Sequence, residues 1–396
     1  MSSRGSGRSK RWTAGAVACA LALTAAACGS DDEGAAKSGG KADLPDKFVF
    51  GATLPLTGAA ASYGATMRNG METAVKQLNA EGGISGAKIE ADFQDFGAGD
   101  PAKGISTAKQ LVASDAVAIQ TCYIAVPLAQ EPVVTQASVP LLIPCLGENQ
   151  LLNKDWIYNV VPTFDSEMAT LQKHIAEQGH KKLTILTGDT TSKDVSNFMV
   201  ENWENLTGQK AELVLLDATT TDPTPEVSKA LATNPDAMIV AVVGTLGQTV
   251  VEKLVANNAQ IPFFGGIASS AYLEQITNGK LNWTFTSGEF ENSPKFMEAF
   301  KANGGKGDPG FWDSSFYTAT MVTAQALEKA IEAGEEPNGE AIKKQFDRGA
   351  SFEGCCGPFE FGPGHSAGGV FAIMNIKDGG APEKLQTLEA VQVPVE

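Results

Sequence analysis

The stretch FVFGATLPLTGAAASYGATMRNGMETAVKQLNAEGGISGAKIE, residues 48–90, decides the fold of this chain. It opens with a β-branched and aromatic run that predicts a strand over Phe48–Pro55. A helix follows, because apolar residues recur at the spacing of one buried helical face: Met67, Met71, Ala74, Val75 and Leu78. The glycine pair at 82–83 ends that helix. A strand, a loop and an amphipathic helix in this order make one unit of a parallel sheet.

The same alternation of strand and helix continues to about residue 265. Further strands are predicted at Lys88–Phe96, Ala116–Cys122, Pro140–Leu146, Leu183–Gly188, Leu213–Asp217, Ala237–Gly244 and Pro262–Gly265. This order predicts an α/β fold of parallel sheets with helices on both faces. Ligands of such folds gather at the loops after the carboxyl ends of strands. The expected ligand loops are PLTGAAASYG from Pro55, QTCYIAVP from Gln120, PCLGENQ from Pro144, TGDTTSKD from Thr187 and GTLGQT from Gly244.

The amino-terminal residues carry the pattern of a secretory signal. Four basic residues within the first eleven positions precede an uncharged, Ala-rich stretch, Trp12–Ala27. A membrane-spanning helix needs about 20 strongly apolar residues, so this stretch predicts a lipoprotein signal peptide over residues 1–27, cleaved before Cys28. Cys28 would carry the lipid, and residues 28–46 would form a flexible linker. A signal cut elsewhere and an uncleaved anchor are the alternatives, and all three interpretations place the protein outside the cytoplasm.

Composition limits the classes of partner. Without the predicted signal, about 369 residues remain, more than one hydrophobic core usually organises, so two domains are expected. With 43% apolar and 19% charged residues, the chain can bury sizeable cores. The formal net charge of −16 opposes binding to nucleic acid or to anionic lipid, which leaves the lipid anchor as the predicted membrane contact. The three histidines are scattered and no CxxC motif is present, so neither a metal ion nor another cofactor is expected.

The opening stretch contains four short motifs: PLTG at 55–58, YG at 63–64, RNG at 68–70 and LNAEGGISG at 78–86. With DFGAGDPAKG at 95–104, they resemble the leucine/isoleucine/valine-binding family of bacterial type I periplasmic binding proteins. Looser matches (VPLLIPCLGENQL, VVPTFDSE, IPFFGG, and GPFEF followed by VFAIMNIKDGG) extend the resemblance over Lys47–Glu396. GAGDPA also imitates a dinucleotide-binding fingerprint, but Asp100 and Pro101 more simply cap and begin a helix.

The resemblance implies two Rossmann-like lobes joined by three hinge crossings, with the ligand in a cleft between them. The crossings are expected near Val161–Phe164, Gly265–Ser270 and Phe361–Ser366. The lobes are then expected at 46–163 with 268–362 for lobe one, and at 164–267 with 363–396 for lobe two. It further implies a monomer that captures a solute by lobe closure. Its partners would be the permease and ATPase subunits of a branched-chain-amino-acid-type ABC importer.

Family members that bind α-amino acids hold the carboxylate with hydroxyls and amides of lobe one. By position, Tyr63 keeps the aromatic residue of the first loop. Cys122 stands where a serine usually donates, Cys145 where a small residue offers its amide, and Gly147 where a threonine is expected. The resemblance therefore predicts a pocket that lacks two of the usual hydroxyl donors.

The same family members bind the ammonium group with an acidic side chain of lobe two. The matching loop, Gly244–Thr249, contains no acid, and Leu246 falls at the acid position. A desolvated ammonium without a carboxylate costs several kcal/mol. An α-amino acid is therefore disfavoured, unless Glu148, Asp189 or Glu274 supplies the charge.

The remaining groups in the ligand loops suit a small neutral or carboxylate-bearing solute with an apolar or aromatic body. The candidate contacts are the backbone amides of Cys145, Leu146 and Gly147, the hydroxyls of Thr121, Thr190, Thr191 and Thr245, the rings of Tyr63, Tyr123 and Trp312, and Cys122. A branched-chain or other amino acid is the alternative ligand.

Four cysteines lie beyond the signal and the lipidation site, and an oxidising compartment favours disulfides among them. Cys122 and Cys145 follow two strands that should be neighbours in lobe one. Strand ends about 5 Å apart allow a disulfide between them, and two buried thiols are the alternative. The adjacent Cys355 and Cys356 are interpreted either as a vicinal disulfide or as two free thiols.

Two other classes of protein compete with a transport protein. An enzyme is disfavoured, because the sequence has neither a GxSxG elbow nor an HExxH helix, and no histidine lies near the ligand loops. A sensory component that presents its ligand to a separate receptor is the second alternative, since this architecture also serves signalling.

Overall fold

A computed structural model describes residues 44–393, apart from positions 59, 98, 124, 189–192, 218 and 289–291. The predicted signal peptide, the lipidation site Cys28 and most of the linker lie outside these residues, and so do Thr190 and Thr191. No helix within the described part is both long and apolar enough to cross a membrane.

The first sheet is built by the amino-terminal third of the fold. Its elements are β1 (Lys47–Leu54), α1 (Ala61–Ala80), β2 (Lys88–Asp95), α2 (Pro101–Ala113), β3 (Ala116–Thr121), α3 (Ala125–Ala137), β4 (Leu141–Ile143) and β5 (Ile157–Asn159). The strands are all parallel, in the order β2-β1-β3-β4-β5. The residues of β1 from Phe50 to Leu54 are buried in succession, because a central strand with helices on both faces has no solvent side.

The start of α2 distinguishes the two interpretations of the GAGDPA segment, a dinucleotide-binding fingerprint and a helix cap. Asp100 is the N-cap, and its carboxylate accepts hydrogen bonds from the backbone N–H groups of Ala102 and Lys103. Pro101 follows at the first helical position, where its missing N–H costs nothing. The interpretation of this segment as a helix start is therefore confirmed.

The second sheet begins after the first crossing. Its elements are α4 (Phe164–Glu177), β6 (Leu183–Gly188), α5 (Lys193–Thr207), β7 (Glu212–Leu216), α6 (Thr224–Ala232), β8 (Ala237–Ala241), α7 (Gly244–Ala256), β9 (Phe263–Gly265), a 3₁₀ helix (Ile267–Tyr272), α8 (Leu273–Asn278) and β10 (Trp283–Gly288). These strands are parallel to one another. The α/β class expected from the alternation is confirmed.

The chain then returns to the first sheet and crosses a final time. The remaining elements are α9 (Pro294–Ala302), α10 (Phe311–Glu332), α11 (Gly339–Asp347), β11 (Phe352–Gly354), β12 (Gly357–Phe359), β13 (Val370–Ile376) and β14 (Glu383–Glu389). β13 and β14 add antiparallel strands to the second sheet, whose order is β14-β13-β10-β9-β8-β6-β7.

Helices α1 and α10 pack closely in the first half of the fold. A Cβ built on Gly70 would lie 2.3 Å from the backbone oxygen of Asp313, so no side chain fits between the two helices. Phe316 of α10 is fully buried in the same core as β1. The late helix α10 therefore belongs with the first sheet. We call residues 47–159 and 294–359 lobe one, and residues 164–288 and 370–389 lobe two.

The predicted second crossing at Gly265–Ser270 is wrong. β10 pairs in parallel with β9 and antiparallel with β13, so residues 268–288 lie in lobe two and not in lobe one. Trp283 and Phe285 complete the core of the second sheet, and this burial holds the segment there. The crossing comes after Gly288.

The first and third connections run side by side. Asn159 forms a parallel bridge with Ser366, and the N–H of Ala367 donates to the Asn159 carbonyl at 2.9 Å. Phe164, the first residue of α4, donates its N–H to the Gly147 carbonyl at 2.7 Å. Hydrogen bonds thus join the end of β5 to the third connection, and the loop after β4 to the first residue of α4.

Candidate functional site

A cavity of about 120 Å³ lies between the lobes. Lobe one lines it with Tyr63, Met67, Cys122, Tyr123, Cys145, Leu146 and Trp312, and lobe two with Phe164, Glu167, Val240, Ala241, Val243, Gly266, Ile267 and Ala268. Most of these side chains are apolar. Ligand sites of this kind are concave and mostly apolar, so this space suits a small solute with an apolar body.

Cys122 and Cys145 line the cavity, directly after β3 and close after β4. Their Cα atoms are 5.7 Å apart and their sulfur atoms are in contact. This separation is within the usual range for a disulfide. The neighbouring strand ends expected from the sequence therefore meet as predicted.

Tyr123 follows Cys122 and forms part of the same wall. Its backbone has φ of 68°, in the left-handed region that few non-glycine residues adopt. The ring packs edge-on against Phe96, with centroids 5.7 Å apart. Burial raises the pKa of its hydroxyl, with a further contribution from Tyr63. Tyr123 is therefore a neutral ring and hydroxyl at physiological pH.

Tyr63 reaches from α1 across the cleft. Its hydroxyl accepts a hydrogen bond from the N–H of Gly244 at 3.4 Å and donates to the carbonyl of Ala268 at 3.5 Å. Both partners belong to lobe two. The ring packs edge-on against Trp312, with centroids 6.0 Å apart. Burial raises the Tyr63 pKa, and the contact with Gly244 opposes this rise. Tyr63 thus links the two walls by long hydrogen bonds.

Glu167 is a lining residue that was not predicted from the sequence. It lies in the first turns of α4 and is only 1% exposed. Its Oε1 accepts hydrogen bonds from the N–H of Ile267 at 2.7 Å and from the hydroxyl of Thr286. Oε2 is buried without a hydrogen-bond partner among the described residues. Desolvation raises the Glu167 pKa to about 7, against the opposing effect of these two hydrogen bonds.

One sequence signal could have pointed to Glu167. Thr163 caps α4 through its hydroxyl, which accepts from the N–H of Ser166, so the helix start does not need the carboxylate. An acid that follows such a cap on the buried face of an amphipathic helix needs another partner. The TFDSE segment thus marks Glu167 as an acid that needs a partner, but it does not say which residues or which cavity the carboxyl meets.

Several predicted contacts lie outside the cavity lining. Thr121 is buried, and its hydroxyl accepts a hydrogen bond from Thr53 at 2.7 Å. Gly147 packs against the hinge, where an added Cβ would come within 2.6 Å of Asn159 Oδ1. Thr245 lies in the first turn of α7 and is exposed. Thr121 therefore has a structural role, and Thr245 is part of a helix start. The polarity of a threonine in the sequence does not distinguish such positions from ligand contacts.

The substitutes considered for the missing acid also lie elsewhere. Glu148 is buried beside Gln150, outside the lining residues, and Glu274 is exposed on α8. Asp189 is outside the described residues. Leu246, at the family's acid position, packs against the core of lobe two. The acid at the cavity therefore comes from a different element, α4.

Sequence comparison relates the chain to binding proteins. A sequence model described as "Periplasmic binding protein" matches residues 47–381. Leu/Ile/Val-binding protein homolog 3 of Brucella melitensis is 37% identical over 100 residues, 24% of this chain and 26% of that protein. Leu/Ile/Val-binding protein BraC3 of Rhizobium johnstonii is 29% identical over 148 residues, 36% of this chain and 39% of that protein. The matches thus span well under half of these relatives.

Structural comparison covers the whole fold at lower identity. The branched-chain amino acid transporter substrate binding protein LivJ from Streptococcus pneumoniae, in complex with isoleucine, has a TM-score of 0.74 and 21% identity, covering 87% of this chain and 99% of that chain. An ABC transporter solute binding protein from R. palustris, in complex with 4-hydroxybenzoate, has a TM-score of 0.76 and 17% identity, covering 87% and 97%. These likenesses support the two-lobed fold. The chain belongs to the periplasmic binding protein family, with the type I architecture.

Proposed function

We propose that this protein is the extracytoplasmic, lipid-anchored solute-binding component of an ABC importer. It captures a small organic solute that has an apolar, preferably aromatic, body and a carboxylate. Closure of the lobes traps the solute, and the closed form delivers it to the permease. The observation that carries this proposal is the apolar cavity lined by both lobes.

The composition of the cavity favours this ligand class over an α-amino acid. Tyr63, Trp312 and Phe164 offer ring surfaces, and Cys122 and Cys145 also line the cavity. A zwitterion would need its ammonium and its carboxylate both to be paired in this largely apolar cavity. One carboxylate of the solute can instead be held by backbone N–H groups of the loop after β4, as expected from the family position of Cys145.

The contacts across the cleft support binding by closure. Tyr63 is anchored in α1, yet its hydroxyl meets backbone groups of both α7 and the 3₁₀ helix of lobe two. Contacts made only when the lobes approach are what stabilise a closed state. A solute that touches both walls adds further contacts to the closed state, so that binding and closure are coupled.

A thermal-shift and calorimetry screen of the purified chain tests the ligand class. The panel comprises benzoate, 4-hydroxybenzoate, aliphatic monocarboxylates, leucine, isoleucine and valine. A ligand that binds only the native state at 100 times its Kd adds about 2.7 kcal/mol to the free energy of unfolding. We expect an aromatic acid to give the largest stabilisation. A branched-chain amino acid as the strongest stabiliser contradicts the proposal.

Paired variants locate the binding. Ala268 lines the cavity, whereas Ser270, in the same 3₁₀ helix, is exposed. Ala268→Leu should fill the cavity and abolish the shift, and Ser270→Leu should keep it. A shift that survives Ala268→Leu places the solute elsewhere.

Binding of a branched-chain amino acid is the second candidate function. It is favoured by the buried carboxyl of Glu167, which an ammonium group could ionise, and by the relatives named for leucine, isoleucine and valine. Calorimetry in buffers of different ionisation enthalpy separates the candidates. An ammonium on Glu167 releases a proton near neutral pH, whereas a solute without a cationic group does not.

A further inference from the structure

Glu167 differs from every other residue that lines the cavity. Among the described lining residues it is the one acid, and no basic side chain accompanies it. It belongs to lobe two, at the start of α4, and its carboxyl group is almost completely buried. A carboxyl in such a place needs a hydrogen-bonding partner.

The two oxygen atoms of this carboxyl have different surroundings. Oε1 accepts from the Ile267 N–H and the Thr286 hydroxyl, which ties α4 to β10 and to the 3₁₀ helix. Gly266 packs against the same carboxyl, and a Cβ there would lie 2.8 Å from Oε2. The orientation of the group is therefore fixed. Oε2 has no partner within the described part of the chain.

A purely structural role explains one of these oxygen atoms. Joining α4 to the neighbouring backbone requires a single acceptor, and Oε1 supplies it. The second oxygen remains buried beside the cavity with its capacity to hydrogen-bond unused. A buried polar atom of this kind is paired in most native proteins, and the cavity is where a partner can enter.

We infer that the free Oε2 of Glu167 pairs with a neutral hydrogen-bond donor on the solute. The solute then carries a hydroxyl group on the part of its apolar body that faces lobe two. This inference rests on the proposed function and narrows its ligand class. A hydroxyl brings one donor, matching one free oxygen, whereas an ammonium brings three.

The pairing makes Glu167 a specificity-determining residue. A solute without the donor enters the same cavity but leaves Oε2 unpaired, and a site built for a hydroxyl discriminates against such an analogue. Hydrogen bonds to a charged or strongly polar group favour binding by about 10- to 100-fold. The rings of lobe one contribute equally to both solutes.

Calorimetry of the full chain with benzoate, 3-hydroxybenzoate and 4-hydroxybenzoate at pH 8, where the Glu167 carboxyl is mostly ionised and Oε2 is an acceptor, tests the inference. We expect at least one hydroxybenzoate to bind about 10- to 100-fold more tightly than benzoate. Glu167→Leu should bring that ratio to within about threefold of unity while benzoate still binds. Glu177→Gln, at the exposed end of the same helix, should keep the wild-type ratio.

Glu167→Gln keeps the test decisive if the leucine variant fails to fold. It retains the oxygen that Ile267 and Thr286 contact but replaces the free acceptor by an amide donor. We expect the ratio to fall in this variant also, with circular dichroism showing an intact fold. Equal binding of all three probes by the wild type overturns the inference, and so does a wild-type ratio in the folded variants.

Three outcomes distinguish failure of this inference from failure of the proposed function. If benzoate and hydroxybenzoates bind without discrimination, the inference fails and the proposed function stands. If none binds, both fail. Tighter binding of leucine that is lost in Glu167→Gln also overturns both, because the partner of Oε2 is then an ammonium group.

Discussion

The wall that lobe one contributes to the cavity is made of rings and sulfur-containing side chains with Leu146, whereas lobe two contributes Phe164, aliphatic side chains, backbone and one carboxyl group. The first wall is tied to a single large core that contains Tyr63, Cys122 and Cys145. The second wall is formed by the end of β8, by loops and by helix starts. Under the function proposed above, lobe one sets the shape of the site, and lobe two sets which polar group is accepted.

The largest expected effect tests the polar part of the second wall. The Glu167 pKa is raised to about 7 from 4.5. A raised folded-state pKa adds stability that is fully present below the unfolded pKa and is lost as the pH rises to about 7. The change is on the order of 3 kcal/mol.

Denaturant unfolding of the wild type and Glu167→Gln between pH 4 and 8 measures this loss. Other groups titrate equally in both proteins, so the difference in unfolding free energy isolates Glu167. We expect the wild type to lose stability relative to the variant as pH rises. If the unfolding free energies of the two proteins run parallel with pH, the Glu167 pKa is not raised, and the second wall does not contain an unusual carboxyl group.

The next largest expected effect is the contribution of the Cys122–Cys145 pair to the free energy of unfolding. Cys122 and Cys145 are 23 residues apart in sequence, and a disulfide closing such a loop contributes about 3 kcal/mol. Reductant should lower the unfolding free energy of the wild type by about this amount and leave Cys122→Ser/Cys145→Ser unchanged. The adjacent Cys355 and Cys356 enclose almost no chain, so Cys355→Ser/Cys356→Ser should remain sensitive to reductant. Insensitivity of the wild type indicates free thiols.

Trp312 tests the shape of the first wall. Its ring packs against both Tyr63 and Phe311 at the cavity, so Trp312→Ala should weaken solute binding by about 2 kcal/mol, or roughly 30-fold. Trp156 is a matched control, since it is half-buried beside Lys343 and away from the cavity. Calorimetry with the best ligand should distinguish the variants. Equal affinities would mean that the rings do not shape the site.

The smallest effect concerns the link between the walls. Tyr63→Phe removes a hydroxyl that makes two long hydrogen bonds to lobe two, and should weaken binding by about 1 kcal/mol, or fivefold. Tyr317→Phe is the control, because that hydroxyl contacts Gln77 within lobe one. Small-angle scattering should detect a larger open fraction in Tyr63→Phe alone. An unchanged affinity would show that the Tyr63 hydroxyl does not contribute to lobe closure.

The prediction of strands was accurate where apolar runs were buried on both faces. The strand Leu183–Gly188 was predicted with the bounds it has in the structure, and β1 differs by one residue at each end. β10, β13 and β14 were not predicted as strands. Trp283 and Phe285 alternate with polar residues in β10, and β14 at the sheet edge is mostly exposed. Short or half-exposed strands depend on pairing partners that are distant in sequence.

The candidate site divides in the same way. Tyr63, Cys122, Tyr123, Cys145, Leu146 and Trp312 were predicted and do line the cavity. The lobe-two prediction relied on threonines, and Thr245 is exposed. Phe164, Glu167 and Ile267 were missed because they come together only where α4 meets the 3₁₀ helix of lobe two, two chain segments about a hundred residues apart.

The alternation of buried strands and amphipathic helices determined the α/β class, because periodicity records which faces are covered. Local motifs identified the family and located the ligand loops of lobe one. Tertiary structure alone decided the course of the second crossing and the placement of Glu167 at the cavity. Both depend on long-range burial: β10 completes a distant core, and the carboxyl of α4 meets Ile267 and Thr286 only after folding. Sequence spacing does not contain such contacts.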